Sequence, residues 1–83
     1  MCDELKKYRD EIDSLDTKIA ELLRIRFKIA EKLRAIKKEI RDEKREAEIL
    51  NNLRKRDNDE LYEHIEQVYK TIFNESVKIQ KKL

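Results

Sequence analysis

Apolar residues in the first half of the chain stand at Leu5, Tyr8, Ile12, Leu15, Ile19, Leu22, Ile29, Leu33, Ile36 and Ile40. Steps of three and four keep all of them on one stripe of a helix. The stripe predicts a long amphipathic helix over about residues 3–41, with Asp3 as its N-cap. At 1.5 Å per residue such a helix is roughly 57 Å long. The rest of the chain is too short to cover a seam of that length, so the stripe calls for a second copy, most simply as a two-fold dimer. One position interrupts it. Between Leu22 and Ile29 the phase requires an apolar side chain, and the chain supplies Arg26. A guanidinium on a buried seam is costly unless an anion meets it.

Beyond Ile40 two readings compete. Ala47, Leu50 and Leu53 continue the stripe, which would extend one helix to Arg56. The preferred alternative is a turn near residues 41–43, with Asp42 capping a second, short helix over about residues 43–56. Asp57, Asn58 and Asp59 follow the basic run Arg54-Lys55-Arg56, an arrangement that closes one helix and opens another. A third helix over about residues 59–83 then carries Leu61, Ile65, Val68, Tyr69, Ile72, Phe73, Ile79 and Leu83 on its apolar face. Ser76 and Gln80 break that face, four residues apart.

Composition narrows the fold to all-α. The 83 residues include no Gly and no Pro, 48% are charged and 39% apolar, and the core must therefore be a narrow seam between helices in one small domain. Twenty-one basic and 19 acidic residues are intermixed, for a net charge of +2. That is not the basic face of a nucleic-acid binder. No apolar run reaches a membrane span and no signal peptide is evident, so a cytoplasmic location is expected. One His (His64) and one Cys (Cys2) cannot assemble a histidine-based zinc site or a Cys/His dyad within a chain, and without Gly there is no Gly-rich phosphate loop.

The candidate chemistry lies in the polar residues that break the pattern. Arg26 and Lys37 are eleven residues apart, close to three turns, and two cations on one face suit a ligand with several anionic groups. The plain alternative is a register-setting arginine and a solvated lysine. Arg9 lies seventeen residues before Arg26, about 25 Å along the helix, and could reach the same pocket only from another copy. Asp42, Arg45 and Glu46 form D-x-x-R-E at the start of the second helix.

In this order, Arg9, Arg26, Lys37, Asp42, Arg45, Glu46, Ser76 and Gln80 resemble the active-site pattern of the all-helical, AroQ-type chorismate mutases. The segment YRDEIDSLDTKIAELLRIR is similar to that family's first-helix signature, with DEKRE in the second segment and ESVKIQ near the end. The resemblance covers nearly the whole chain and is that of a short, monofunctional member. It implies three helices per chain in an intertwined six-helix homodimer, with chorismate as the small-molecule substrate and neither metal nor cofactor. It further implies that Arg26 and the partner's Arg9 bind the two carboxylates with help from Ser76, and that Lys37 and Gln80 donate to the ether oxygen. Glu46 would accept from the ring hydroxyl, helped by backbone near Asp42, while Arg45 orders Asp42, Glu46 or the substrate. Leu33, Ile49, Phe73 and Val77 would exclude water. The chain departs from familiar bacterial members in a shorter link between Lys37 and Asp42. The alternative function is a non-catalytic helical-bundle or coiled-coil interaction module.

Overall fold

A computed structural model describes residues 2–36 and 39–82, Cys2 by its backbone only. These residues form three helices, α1 (Cys2–Leu33), α2 (Glu43–Arg56) and α3 (Tyr62–Lys82). The turn after the first helix is therefore the arrangement the chain adopts, in place of one helix running on to Arg56. α1 stops about two turns short of the end that its stripe predicts, and Asp3 lies in its first turn instead of capping it. Its end tightens through hydrogen bonds of three-residue span, from Ala35 N to Lys32 O (3.3 Å) and from Ile36 N to Leu33 O (3.0 Å).

No helix breaker marks this stop. Ile36 keeps the helical phase but is 79% exposed, so nothing packs on it to reward continuation. The link downstream is tied to the other two helices. Asp42 Oδ1 accepts from Arg45 N (3.0 Å), capping α2, and Arg41 is held by side chains of α2 and α3. Tertiary anchoring here outweighs local helix propensity.

The α2–α3 corner is built by the three consecutive cap-forming residues, each with a separate task. Asp57 closes α2, its N–H donating to Leu53 O (3.0 Å). Asp59 Oδ1 accepts from the backbone N–H groups of Leu61 (2.9 Å) and Tyr62 (3.2 Å), which opens α3. Tyr62 is buried; its hydroxyl donates to Leu50 O (2.9 Å) and its ring lies under the Arg54 guanidinium. α2 and α3 thus form an antiparallel pair, and α3 packs against both α2 and the second half of α1.

The first half of α1 packs on nothing. Leu5, Tyr8, Ile12 and Leu15 (55% exposed) stand in solvent, and Ile19 and Leu22 (65%) further along, with Leu61, Ile65 and Val68 of α3, are partly exposed. Ala30, Tyr62 and Phe73 are the buried apolar residues among those described. The radius of gyration is 16.0 Å over a 55 × 28 × 15 Å body, against about 12 Å expected for a compact chain of this length. No described helix is long and apolar enough to cross a membrane.

Candidate active site

Where α1, α2 and α3 meet, they enclose a cavity of about 240 Å³. Its polar wall comprises Arg26 from α1, Asp42, Arg45 and Glu46 from the start of α2, and Ser76 and Gln80 from α3. Ile29, Ala30, Leu33, Ile40, Ile49, Phe73 and Val77 supply its apolar wall. Residues spread over more than fifty positions of sequence converge here because α3 returns alongside α1 and the α2 N-terminus closes the end.

Arg26 is the residue that broke the stripe, and its surroundings explain how a half-buried guanidinium is tolerated. Nη1 donates to Ser76 Oγ (3.1 Å), and the group lies over the Phe73 ring with its carbon 5.6 Å from the centroid. Phe73 is in turn fixed by an edge contact from Tyr69, centroids 5.9 Å apart at 61°. Ser76 spends its proton on Ile72 O (2.9 Å), one turn back, which leaves its lone pairs for Arg26. Neither contact neutralises the charge of Arg26. A cation held at two points beside a cavity suits an anion, for which the guanidinium fork is the matching shape.

At the α2 end the carboxylates are already engaged. Asp42 is the N-cap, and Glu46 N donates to Asp42 O (3.0 Å). The Glu46 carboxylate receives Arg41 Nη1 at 3.0 Å from both oxygens. Arg45 does not order Glu46 through its side chain. Its guanidinium reaches outward to Glu48 (3.4 Å), and its link to Asp42 is through the backbone N–H.

Gln80 is only 4% exposed, and its Oε1 has no hydrogen-bond partner among the described residues. An unpaired buried amide oxygen is unusual in a folded protein and calls for an explanation.

One expected site residue stands apart from this cavity, and another falls outside the described residues. Arg9 is exposed on the first half of α1 and does not line it. Lys37 lies outside the described residues. Conversely, Arg41 and Asn74 form part of the polar network without having been singled out. The one sequence signal for Arg41 is its place before the N-cap, five residues ahead of Glu46. Ile40 reaches the cavity wall from the link, not as a member of the helical stripe. Among the described residues no group of three or more His, Cys, Asp or Glu is placed to hold a metal ion.

Beside this cavity runs an apolar groove between α1 and α3, formed by Ile19, Leu22 and Leu23 on one wall and Ile65, Val68 and Ile72 on the other. It is continuous with the exposed stripe of α1.

The family model described as chorismate mutase type II matches residues 8–81. No curated protein and no solved structure matches the chain significantly.

Proposed function

The chain belongs to the type II chorismate mutase family, and from that premise we propose that it converts chorismate to prephenate as a homodimer whose two sites each draw on both chains. The observation that carries this reading is the single cavity that gathers Arg26, Asp42, Arg45, Glu46, Ser76 and Gln80. Its volume, below the roughly 300–1,000 Å³ of drug-sized ligand sites, suits one small-ring metabolite.

The reaction is an intramolecular rearrangement: the ether C–O bond breaks as a C–C bond forms, with no nucleophile and no net proton transfer. A protein accelerates such a step by holding the substrate in its compact reactive conformer and by stabilising charge that develops on the ether oxygen. Arg26, oriented by Ser76 and Phe73, binds one carboxylate. Arg9 of the partner binds the other, and Ser76 assists. Gln80 and Lys37 donate to the ether oxygen. Glu46 accepts a hydrogen bond from the ring hydroxyl, beside the backbone at Asp42, and Arg45 orders Asp42 or the substrate. The apolar wall excludes water and so strengthens each polar contact.

Dimerisation follows from the same helix. The half-exposed stripe from Leu5 to Leu22 and the groove between α1 and α3 are complementary in character, both apolar. A second α1 lying in that region would bring its own Arg9 towards the cavity, which Arg9 cannot reach within one chain. On this reading the protein acts in the cytoplasm, in the route to phenylalanine and tyrosine.

The deciding assay adds the purified protein to chorismate and follows loss of its ultraviolet absorbance, with prephenate identified as product. Turnover abolished by Arg26→Ala supports the reading. A folded dimer with no turnover above background sinks it and leaves a helical interaction module.

A further inference from the structure

Arg41 lies in the link just before α2 and is held by two helices at once. Nη1 sits 3.0 Å from both oxygens of Glu46, straddling the carboxylate, and Nη2 donates to Asn74 Oδ1 at 2.6 Å. One planar group therefore ties the first turn of α2 to α3 through the carboxylate that lines the cavity. The side chains of Arg41 and Glu46 are 36% and 21% exposed, an intermediate setting in which a simple ion pair is worth little. Geometry distinguishes this pair from an ordinary surface bridge. A carboxylate approached equally at both oxygens by one nitrogen is held with its two oxygens facing that donor. Each oxygen keeps a further lone pair for another donor. The second arm on Asn74 holds the guanidinium itself, so Glu46 turns only by giving up its contacts with a group anchored on α3.

We propose that Arg41 is a positioning residue of the active site, which holds the Glu46 carboxylate as an oriented acceptor for the substrate hydroxyl and anchors it to α3 through Asn74. The proposal rests on the chorismate mutase reading and gives Glu46 the support that Arg45, turned outward to Glu48, does not supply. It also gives the short link a task. Arg41 stands where it reaches both α2 and α3.

A double-mutant cycle on the full chain tests it, with Arg41→Ala, Glu46→Gln and the pair assayed on chorismate beside the unsubstituted protein and Arg26→Ala. Circular dichroism and sedimentation accompany each variant. Arg41→Ala is expected to lower kcat/KM about ten- to a hundredfold, the range for a misplaced site group. In the Glu46→Gln background it should have almost no further effect, because the group it positions is already gone. Arg41→Lys keeps the charge without the fork and should lose several-fold, with helicity and dimer mass unchanged. Asn74→Ala, which cuts only the α3 arm, should lose less than Arg41→Ala. Full kcat/KM in Arg41→Ala or Arg41→Lys overturns the proposal. So does an Arg41→Ala loss that multiplies with that of Glu46→Gln, since a general structural tie would behave that way. If Arg41→Ala does not fold, Arg41→Lys and Asn74→Ala decide. Absence of turnover in the unsubstituted protein defeats the parent reading and this one together, whereas turnover there with Arg41 variants unaffected defeats this one alone.

Discussion

Gln80→Glu converts a donor that ignores pH into one that depends on it. Gln80 is nearly fully buried at the cavity wall, with an amide oxygen that no described residue engages. In the proposed mechanism its N–H₂ faces the ether oxygen. In the variant only a protonated carboxyl can donate there; an ionised one presents lone pairs to developing negative charge. Loss of a single preorganised donor of this kind costs about 2.7–4 kcal/mol, or 10²–10³ in kcat. Burial favours the neutral acid and moves its titration upward from the ordinary value near 4.3, while Arg26 and Arg45 on the same wall pull the other way. Whichever prevails, the sign is fixed. Activity of the variant is greatest in acid and falls as pH rises through the titration, about tenfold per unit beyond it. The unsubstituted protein should be nearly flat between roughly pH 5 and 9. The assay is kcat/KM for chorismate at half-unit intervals over that span, with helicity recorded at each pH. A variant equally active at pH 5 and pH 8 refutes the role of Gln80 as donor.

Other expectations follow from the same contacts. Arg26→Lys should cost at least about 1.5–3 kcal/mol in kcat/KM, because an ammonium gives up the fork and weakens the stacking on Phe73; steady-state kinetics on chorismate would show this, and a loss under threefold would count against a bidentate carboxylate site. Leu15→Glu places a charge in the middle of the exposed stripe and should halve the sedimenting mass from twice 10.2 kDa to 10.2 kDa, with activity lost in parallel. An unchanged mass would place the dimer interface elsewhere. Asp42→Ala removes the α2 cap and should lower stability by about 0.5–2 kcal/mol in urea unfolding, and an unaltered midpoint would show that the cap contributes nothing.

The all-helical fold could be read from the spacing of apolar residues and the absence of Gly and Pro. So could the break at Asp57-Asn58-Asp59, because cap-forming side chains act on their own neighbours and leave a local trace. The end of α1 left no such trace. Ile36 and Ile40 keep the phase of the stripe, yet one stands in solvent and the other faces the cavity from the link. The link beyond it is tied down by Asp42 and Arg41, whose effect depends on where α3 lies. Arg26 announced itself as a polar residue in an apolar row, but its contact with Ser76 spans fifty positions and no periodicity contains it. Arg41 was invisible for the same reason. It belongs to a run of charges that looks like any solvated turn, and only the approach of Asn74 separates it from its neighbours.

The unpaired seam of α1 has a consequence for how this protein lives in a cell. In the proposed dimer, a chain that hides so little apolar surface by itself would depend on a second copy for its folded form. Stability is then a function of abundance: dilution unfolds the chain as well as separating it, and the midpoint of thermal unfolding should climb with protein concentration. On that reading, newly made copies would expose a long apolar edge until they met. Expression level would then set how much of the protein is folded as well as how much there is.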